Sequence, residues 1–136
     1  MAKQKKKKTK KSQKRFEKIE YYCYVDFTSE QLEILKDSLR CLMTVHVRDG
    51  GVNVKRLREK RRFASGLLKR FDEEQPDSYT IPELIAMSTS LWKYKEVIFM
   101  SGIPFSEDEK KYAYSVCGEI ISKVEGTLAM LGVNFD

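Results

Sequence analysis

Helix starts punctuate this chain, and they limit its fold more than any other feature. Thr28 stands three residues before Gln31, with Phe27 and Leu32 around it; Thr80 stands three before Glu83, with Tyr79 and Leu84 around it. Both sets are capping boxes with hydrophobic staples. The cap hydroxyl accepts from an orphan amide of the first turn, the Gln or Glu side chain accepts from the cap amide, and the apolar pair sets the entry angle. Pro82 occupies the first turn of the later helix, where a missing N–H costs nothing. Ser106 supplies a third cap, and Glu107, Asp108 and Glu109 behind it suit the positive end of a helix dipole.

Helical spacing follows each start. Leu32, Leu35, Leu39, Leu42 and His46 recur every three or four residues, as do Leu84, Met87, Leu91, Tyr94 and Ile98. Val54, Leu57, Ala64, Leu67, Leu68 and Phe71 share one side of a further helix, and Val116, Ile120, Val124 and Leu131 line the last. The spacing predicts helices over 29–48, 54–71, 81–98 and 107–131. DEEQPDS stops the second, Ser-Gly-Ile-Pro at 101–104 the third, and Gly132 the fourth. The expected fold is mainly α, a compact bundle of about four helices forming one domain over 16–136.

Two segments follow a different period. Residues 19–27 alternate, with Ile19, Tyr21, Cys23, Val25 and Phe27 on one side, which predicts a short strand in need of a partner. Residues 44–54, TVHVRDGGVNV, surround Asp49-Gly50 and read either as a β-hairpin or as a helix end, a Gly-rich turn and a new start capped by Asn53. The helical reading keeps His46 on its apolar stripe. The hairpin, with a short strand at 19–27, would make the alternative an α+β fold.

Charge is distributed as unevenly as hydrophobicity. The 136 residues carry a formal +6, yet nine Lys/Arg and no acid fall within residues 1–15. So many like charges repel one another in a compact domain, and the segment reads as a disordered basic arm seeking a polyanion. The central segment 53–70 sets eight Lys/Arg against Glu59 alone, and the remaining residues are acidic. A divided layout of this kind points to an oriented surface. The arm has no apolar face for a membrane, and no stretch approaches the roughly 18 apolar residues of a span. Cys23, Cys41 and Cys117 are lone and widely spaced, which argues against a disulfide framework and for a reducing compartment. The expected location is cytoplasmic, or nuclear in a eukaryote, where KKKKTKK would serve as an import signal.

Phosphate is the ligand these features suit. In the arm, Lys5, Lys6, Lys7, Lys8, Lys10, Lys11, Lys14 and Arg15 are hydrated or delocalised cations that track phosphates without reading bases. In the central helix, Lys55, Arg58, Arg62 and Lys69 fall in one narrow sector at ~100° per residue and span roughly 21 Å. Lys55 and Arg56 lie in its first turn, where positive charge opposes the dipole by roughly 0.3–1 kcal/mol each. That violation motivates an anion site formed by the turn Asp49–Asn53 and the cations after it. Solvation alone, or pairing with Asp72, Glu73 and Glu74, would give the same composition. The α-turn-α unit over 29–48 and 53–71 superficially resembles a helix-turn-helix, but its first turn lacks the Asn and Gln that contact base edges.

Tyr22 and Tyr24 lie on the polar side of the 19–27 segment and can stack bases, whereas Trp92 and Tyr94 read as core or its edge. Ser115, Gly118, Ser122, Gly126 and Ala129 form a small-residue strip that suits helix–helix or homodimer contact, helix 81–98, or plain solvent. His46 is the only histidine and sits on an apolar face, and no zinc spacing, phosphate-cradling Gly-rich loop or Gly-x-Ser-x-Gly occurs. The sequence therefore predicts a non-enzymatic protein without metal or cofactor. It would bind RNA or DNA through phosphates, mostly without sequence preference. The alternative is a protein–protein adaptor or inhibitor acting on a nucleic-acid enzyme or ribonucleoprotein, as a viral or mobile-element accessory protein would.

Overall fold

The computed structural model describes residues 23–44, 54–74, 76–100 and 102–133. In chain order the elements are β1 (Cys23–Tyr24), α1 (Ser29–Thr44), α2 (Val54–Glu73), β2 (Ser78–Tyr79), α3 (Ile81–Val97) and α4 (Glu107–Met130). The protein is mainly helical, with four helices and one small two-stranded sheet among the described residues. The segments 1–22 and 45–53 lie outside them, and with these the arm, Tyr22, His46, the Asp49–Asn53 turn and the choice between hairpin and helical turn.

All three caps form as the residue pattern dictates. At α1, the Gln31 amide donates to Thr28 Oγ1 and the Thr28 amide to Gln31 Oε1, both at 3.1 Å. Thr80 with Glu83 and Ser106 with Glu109 make the same reciprocal pair of bonds at α3 and α4. Gly132, at φ +71°, ends α4. Its amide donates to the Ala129 carbonyl and that of Val133 to the Leu128 carbonyl, a Schellman turn.

The 19–27 alternation holds where it is described: Cys23, Val25 and Phe27 are buried, and Tyr24 and Asp26 are exposed. The partner strand is β2, antiparallel, with Cys23 opposite Tyr79 and Tyr24 opposite Ser78. Tyr79 is fully buried beneath this sheet, against the Phe27 and Phe71 rings, and its hydroxyl donates to the Pro76 carbonyl at 2.8 Å. Burial and the carboxylates Glu83, Asp77 and Asp26 push its phenol up to about 12, against the opposing pull of Arg70.

α1 and α3 form the central pair, and each packs against both α2 and α4, which lie on opposite sides of it. The central position explains why α3 buries Ala86, Ser88 and Ser90 in addition to the predicted Leu84, Met87, Leu91, Tyr94 and Ile98. Each fully buried Leu or Met is worth roughly 1.5–3 kcal/mol of transfer free energy, and Leu35, Leu39, Leu67, Leu84, Met87, Leu91 and Leu128 are all in that state. One expected core position is corrected. Leu131 is 48 % exposed, because the Schellman turn directs it outward, and Leu128 takes its place. No described helix is long and apolar enough to cross a membrane.

Candidate nucleic-acid interface

α2 buries Ala64, Leu67 and Phe71, half-buries Leu57 and Leu68, and turns its opposite side to solvent. Lys55, Arg58, Arg62 and Lys69 are exposed there, and so is Arg56 beside them. The first turn of α2 contains no acid. Among the described residues, Lys55, Arg58, Arg62 and Lys69 make no ion pair; the Arg62 guanidinium rests over the Phe63 ring at 5.8 Å. Among the described residues, pairing with the acids after the helix accounts for one cation, Arg70, whose Nε lies 3.9 Å from Glu74. Lys55, Arg58, Arg62 and Lys69 thus form a row along one helix with no ion pair among the described residues.

Two arginines of the same segment do something else. Arg61 Nε donates to the Leu42 carbonyl at 2.8 Å, satisfying one of the orphan acceptors at the end of α1. Arg70 points toward the α3 start. Its Nη1 donates to both oxygens of Glu83, at 3.0 and 2.8 Å, its Nη2 to the Ser78 carbonyl at 3.1 Å, and its plane covers the Tyr79 ring. Glu83 is the capping residue of α3, so one carboxylate serves a helix start and an interhelical clamp.

Tyr24 is 78 % exposed on β1, opposite Ser78 of β2. Beside this sheet, Asp26 and Asp77 are exposed at a cleft of about 330 Å³ lined also by Val25, Phe27, Leu32 and Tyr79.

The surface of α3 and α4 holds what periodicity did not reveal. Trp92, Phe99, Tyr112 and Tyr114 are all exposed on α3, its C-terminal turn and α4. Lys95 Nζ sits between the Trp92 and Tyr114 rings, at 4.7 and 4.3 Å, and Phe99 meets Tyr114 edge-on. Trp92 Nε1 and Ser88 Oγ both donate to Glu125, at 2.7 and 2.6 Å. Tyr94 is in the core, as expected, whereas Trp92, expected in the core or at its edge, is 48 % exposed and held at the surface by Glu125. The i, i+3, i+7 spacing of Trp92, Lys95 and Phe99 was the available signal, but it needed Tyr114 from another helix to become a patch. The small-residue strip of α4 also faces outward. Ser115, Ser122, Gly126 and Ala129 are exposed, and a Cβ at Gly118 or Gly126 would meet nothing within 4 Å, so packing within the bundle does not require either glycine.

Burial holds all three thiols protonated: Cys23 and Cys41 are pushed up, the latter against the pull of Lys93, and Cys117 is pushed up to about 12. A protonated thiol is a poor nucleophile and metal ligand. Among the described residues no three His, Cys, Asp or Glu side chains converge as a metal site. Comparison of the chain with protein-family models, curated protein sequences and solved structures finds no match.

Proposed function

We propose that this protein binds nucleic acid through its phosphates, with the outer row of α2 orienting the folded domain and the Lys-rich residues 1–15 adding affinity and association rate. The observation that carries the reading is the row itself: Lys55, Arg58, Arg62 and Lys69 exposed along one side of a helix, with no acid paired to them among the described residues. A row of about 21 Å whose cations form no ion pair among the described residues, with Glu59 the one acid among them, costs self-repulsion, which a polyanion relieves. Such binding is not sequence-specific, because Lys and Arg on a backbone position the protein without reading bases. A protein of this kind would act in the cytoplasm or, in a eukaryote, the nucleus, without metal or cofactor.

The test is the pair Arg58→Glu with Arg62→Glu, measured by fluorescence anisotropy on labelled nucleic acid at two salt concentrations, with circular dichroism as the folding control. Binding should weaken and its salt dependence flatten at unchanged helicity. Equal affinity for the variant removes α2 from the mechanism.

A second reading, a protein adaptor, draws on the aromatic flank of α3 and α4. Exposed Trp, Tyr and Phe are the residues that anchor protein interfaces, and this patch is built on α3 and α4 rather than α2. Free nucleic acid separates the two readings: a binder holds it alone, an adaptor only with its partner present.

A further inference from the structure

Resting on the nucleic-acid reading above, we infer that α2 seats double-stranded nucleic acid, and that Ser65 and Gly66 form a notch in the basic row where one sugar-phosphate backbone comes closest to the helix.

The ligand class follows from what the outer side of α2 lacks. Its exposed positions between Lys55 and Lys69 are cationic, small or Glu59. Phe63 is half-buried under the Arg62 guanidinium, and Phe71 is in the core. Proteins that hold single strands combine a positive groove with aromatic rings on which bases stack. Here the surface is the convex side of a helix, and the exposed rings that cluster, Trp92, Phe99 and Tyr114, belong to α3, its C-terminal turn and α4, not to α2. A duplex asks for no stacking: its bases are already stacked, and each of its strands carries about one phosphate per 3.4 Å of axis for a row of cations to meet.

The notch is an independent observation. At ~100° per residue, Gly66 falls in the same sector as Arg62 and Lys69 and lies between them, with Ser65 at the sector's edge. A Cβ at Gly66 would meet nothing within 4 Å, and its φ is not in the left-handed region, so neither packing nor backbone conformation within the protein calls for glycine. Glycine in a helix interior is nonetheless among the least favourable residues. Two long cations, about 10.5 Å apart along the axis, thus flank a stretch of bare helix backbone. A phosphate chain crossing there approaches closely while Arg62 and Lys69 reach it from either side.

The experiment uses the full chain and fluorescence anisotropy across a salt series, with duplex DNA, duplex RNA and the matching single strands of equal length. The variants are Gly66→Leu and Arg58→Glu with Arg62→Glu, each checked by thermal unfolding. Either duplex should bind more tightly than its own single strands throughout the series. Gly66→Leu should raise the melting temperature, since leucine favours helix, yet lower the slope of log K against log salt by about 0.9 for each phosphate that the cations no longer neutralise. Single strands bound as tightly as duplex, or a Gly66→Leu chain with unchanged duplex affinity and slope, overturns the inference. If the charge-reversal pair weakens binding while these results go against the notch, nucleic-acid binding by α2 stands and only the duplex assignment falls. If the charge-reversal pair leaves every affinity unchanged, the underlying reading fails first.

Discussion

Replacing Arg70 by methionine keeps the length of the side chain and removes its guanidinium. In the folded protein Arg70 is 29 % exposed and Glu83 13 %, so the ion pair is mostly withdrawn from water. Without the guanidinium, the Glu83 carboxylate keeps only the Thr80 amide as a donor, at 2.8 Å, and the Ser78 carbonyl loses the one at 3.1 Å. A hydrogen bond to a charged group contributes about 1.5–3 kcal/mol, and breaking a fully buried pair costs about 3–5. Partial exposure moves the expectation to the lower part, about 2–4 kcal/mol. That is a large share of the 5–15 kcal/mol typical of a domain, and a loss of roughly 10 °C in melting temperature. Urea unfolding followed by circular dichroism measures it. Much of the loss comes from stranding a carboxylate, so Arg70→Met with Glu83→Gln should be more stable than Arg70→Met alone, glutamine being an accepted capping-box residue. A loss under about 1 kcal/mol, or no recovery in the double variant, would refute the clamp.

Two other expectations follow from burial and open space. The Cys117 thiol and Tyr79 phenol lie at about 12 in the folded chain against ordinary values of 9.0 and 10.0, so the unfolded chain gives up these protons first. The stability they contribute is complete below about pH 9 and is lost as pH rises toward 12, by at most about 1.4 kcal/mol per pH unit for each group; melting curves between pH 8 and 11 check it, and Cys117→Ala should flatten the early part of the decline. Gly118→Ala and Gly126→Ala should each stabilise by up to about 1 kcal/mol, since the added methyl meets nothing, whereas Gly132→Ala should destabilise because its φ is +71°.

What the sequence disclosed was whatever depends on neighbours a few residues away. Thr28, Thr80 and Ser106 each bond residues three positions on, so a pattern search finds them. The β1 partner was out of reach of such a search. Only two residues pair, across some 55 positions of chain, and Tyr79 already had a sufficient role as the staple of α3. Leu131 misled for a related reason: it continues the apolar stripe of α4 by count, but the turn at Gly132 begins before the stripe is finished. For the candidate site, periodicity was enough to put Lys55, Arg58, Arg62 and Lys69 on one side of a helix. It left Arg61 and Arg70 outside that sector without showing what they bind, because their partners Leu42 and Glu83 lie 19 and 13 residues distant. Tyr24 was placed correctly on the exposed side of its strand.

The division of labour among the α2 cations has a physical consequence. A helix this polar has little apolar surface with which to anchor itself: Ala64, Leu67 and Phe71 are its buried contribution. Arg61 pins it to the end of α1, and nine positions later Arg70 pins it to the start of α3. Two arginine bonds to different elements fix both the translation of α2 along the bundle and its rotation. Rotation matters most, since turning a helix by one residue's ~100° would carry the outward row into the interface with α1 or α3. The inward arginines therefore hold the outward row at a fixed azimuth. On the proposed reading, an array of charges fixed in this way would meet a polyanion without first having to be ordered, which is where preorganisation lowers the cost of binding. The same reasoning accounts for the basic first turn of α2. At α4 the chain puts Glu107, Asp108 and Glu109 where a helix dipole favours them, so the local rule is available to this sequence. At Lys55 and Arg56 the rule is set aside, and the loss in helix stability is offset by clamps that act further along the helix.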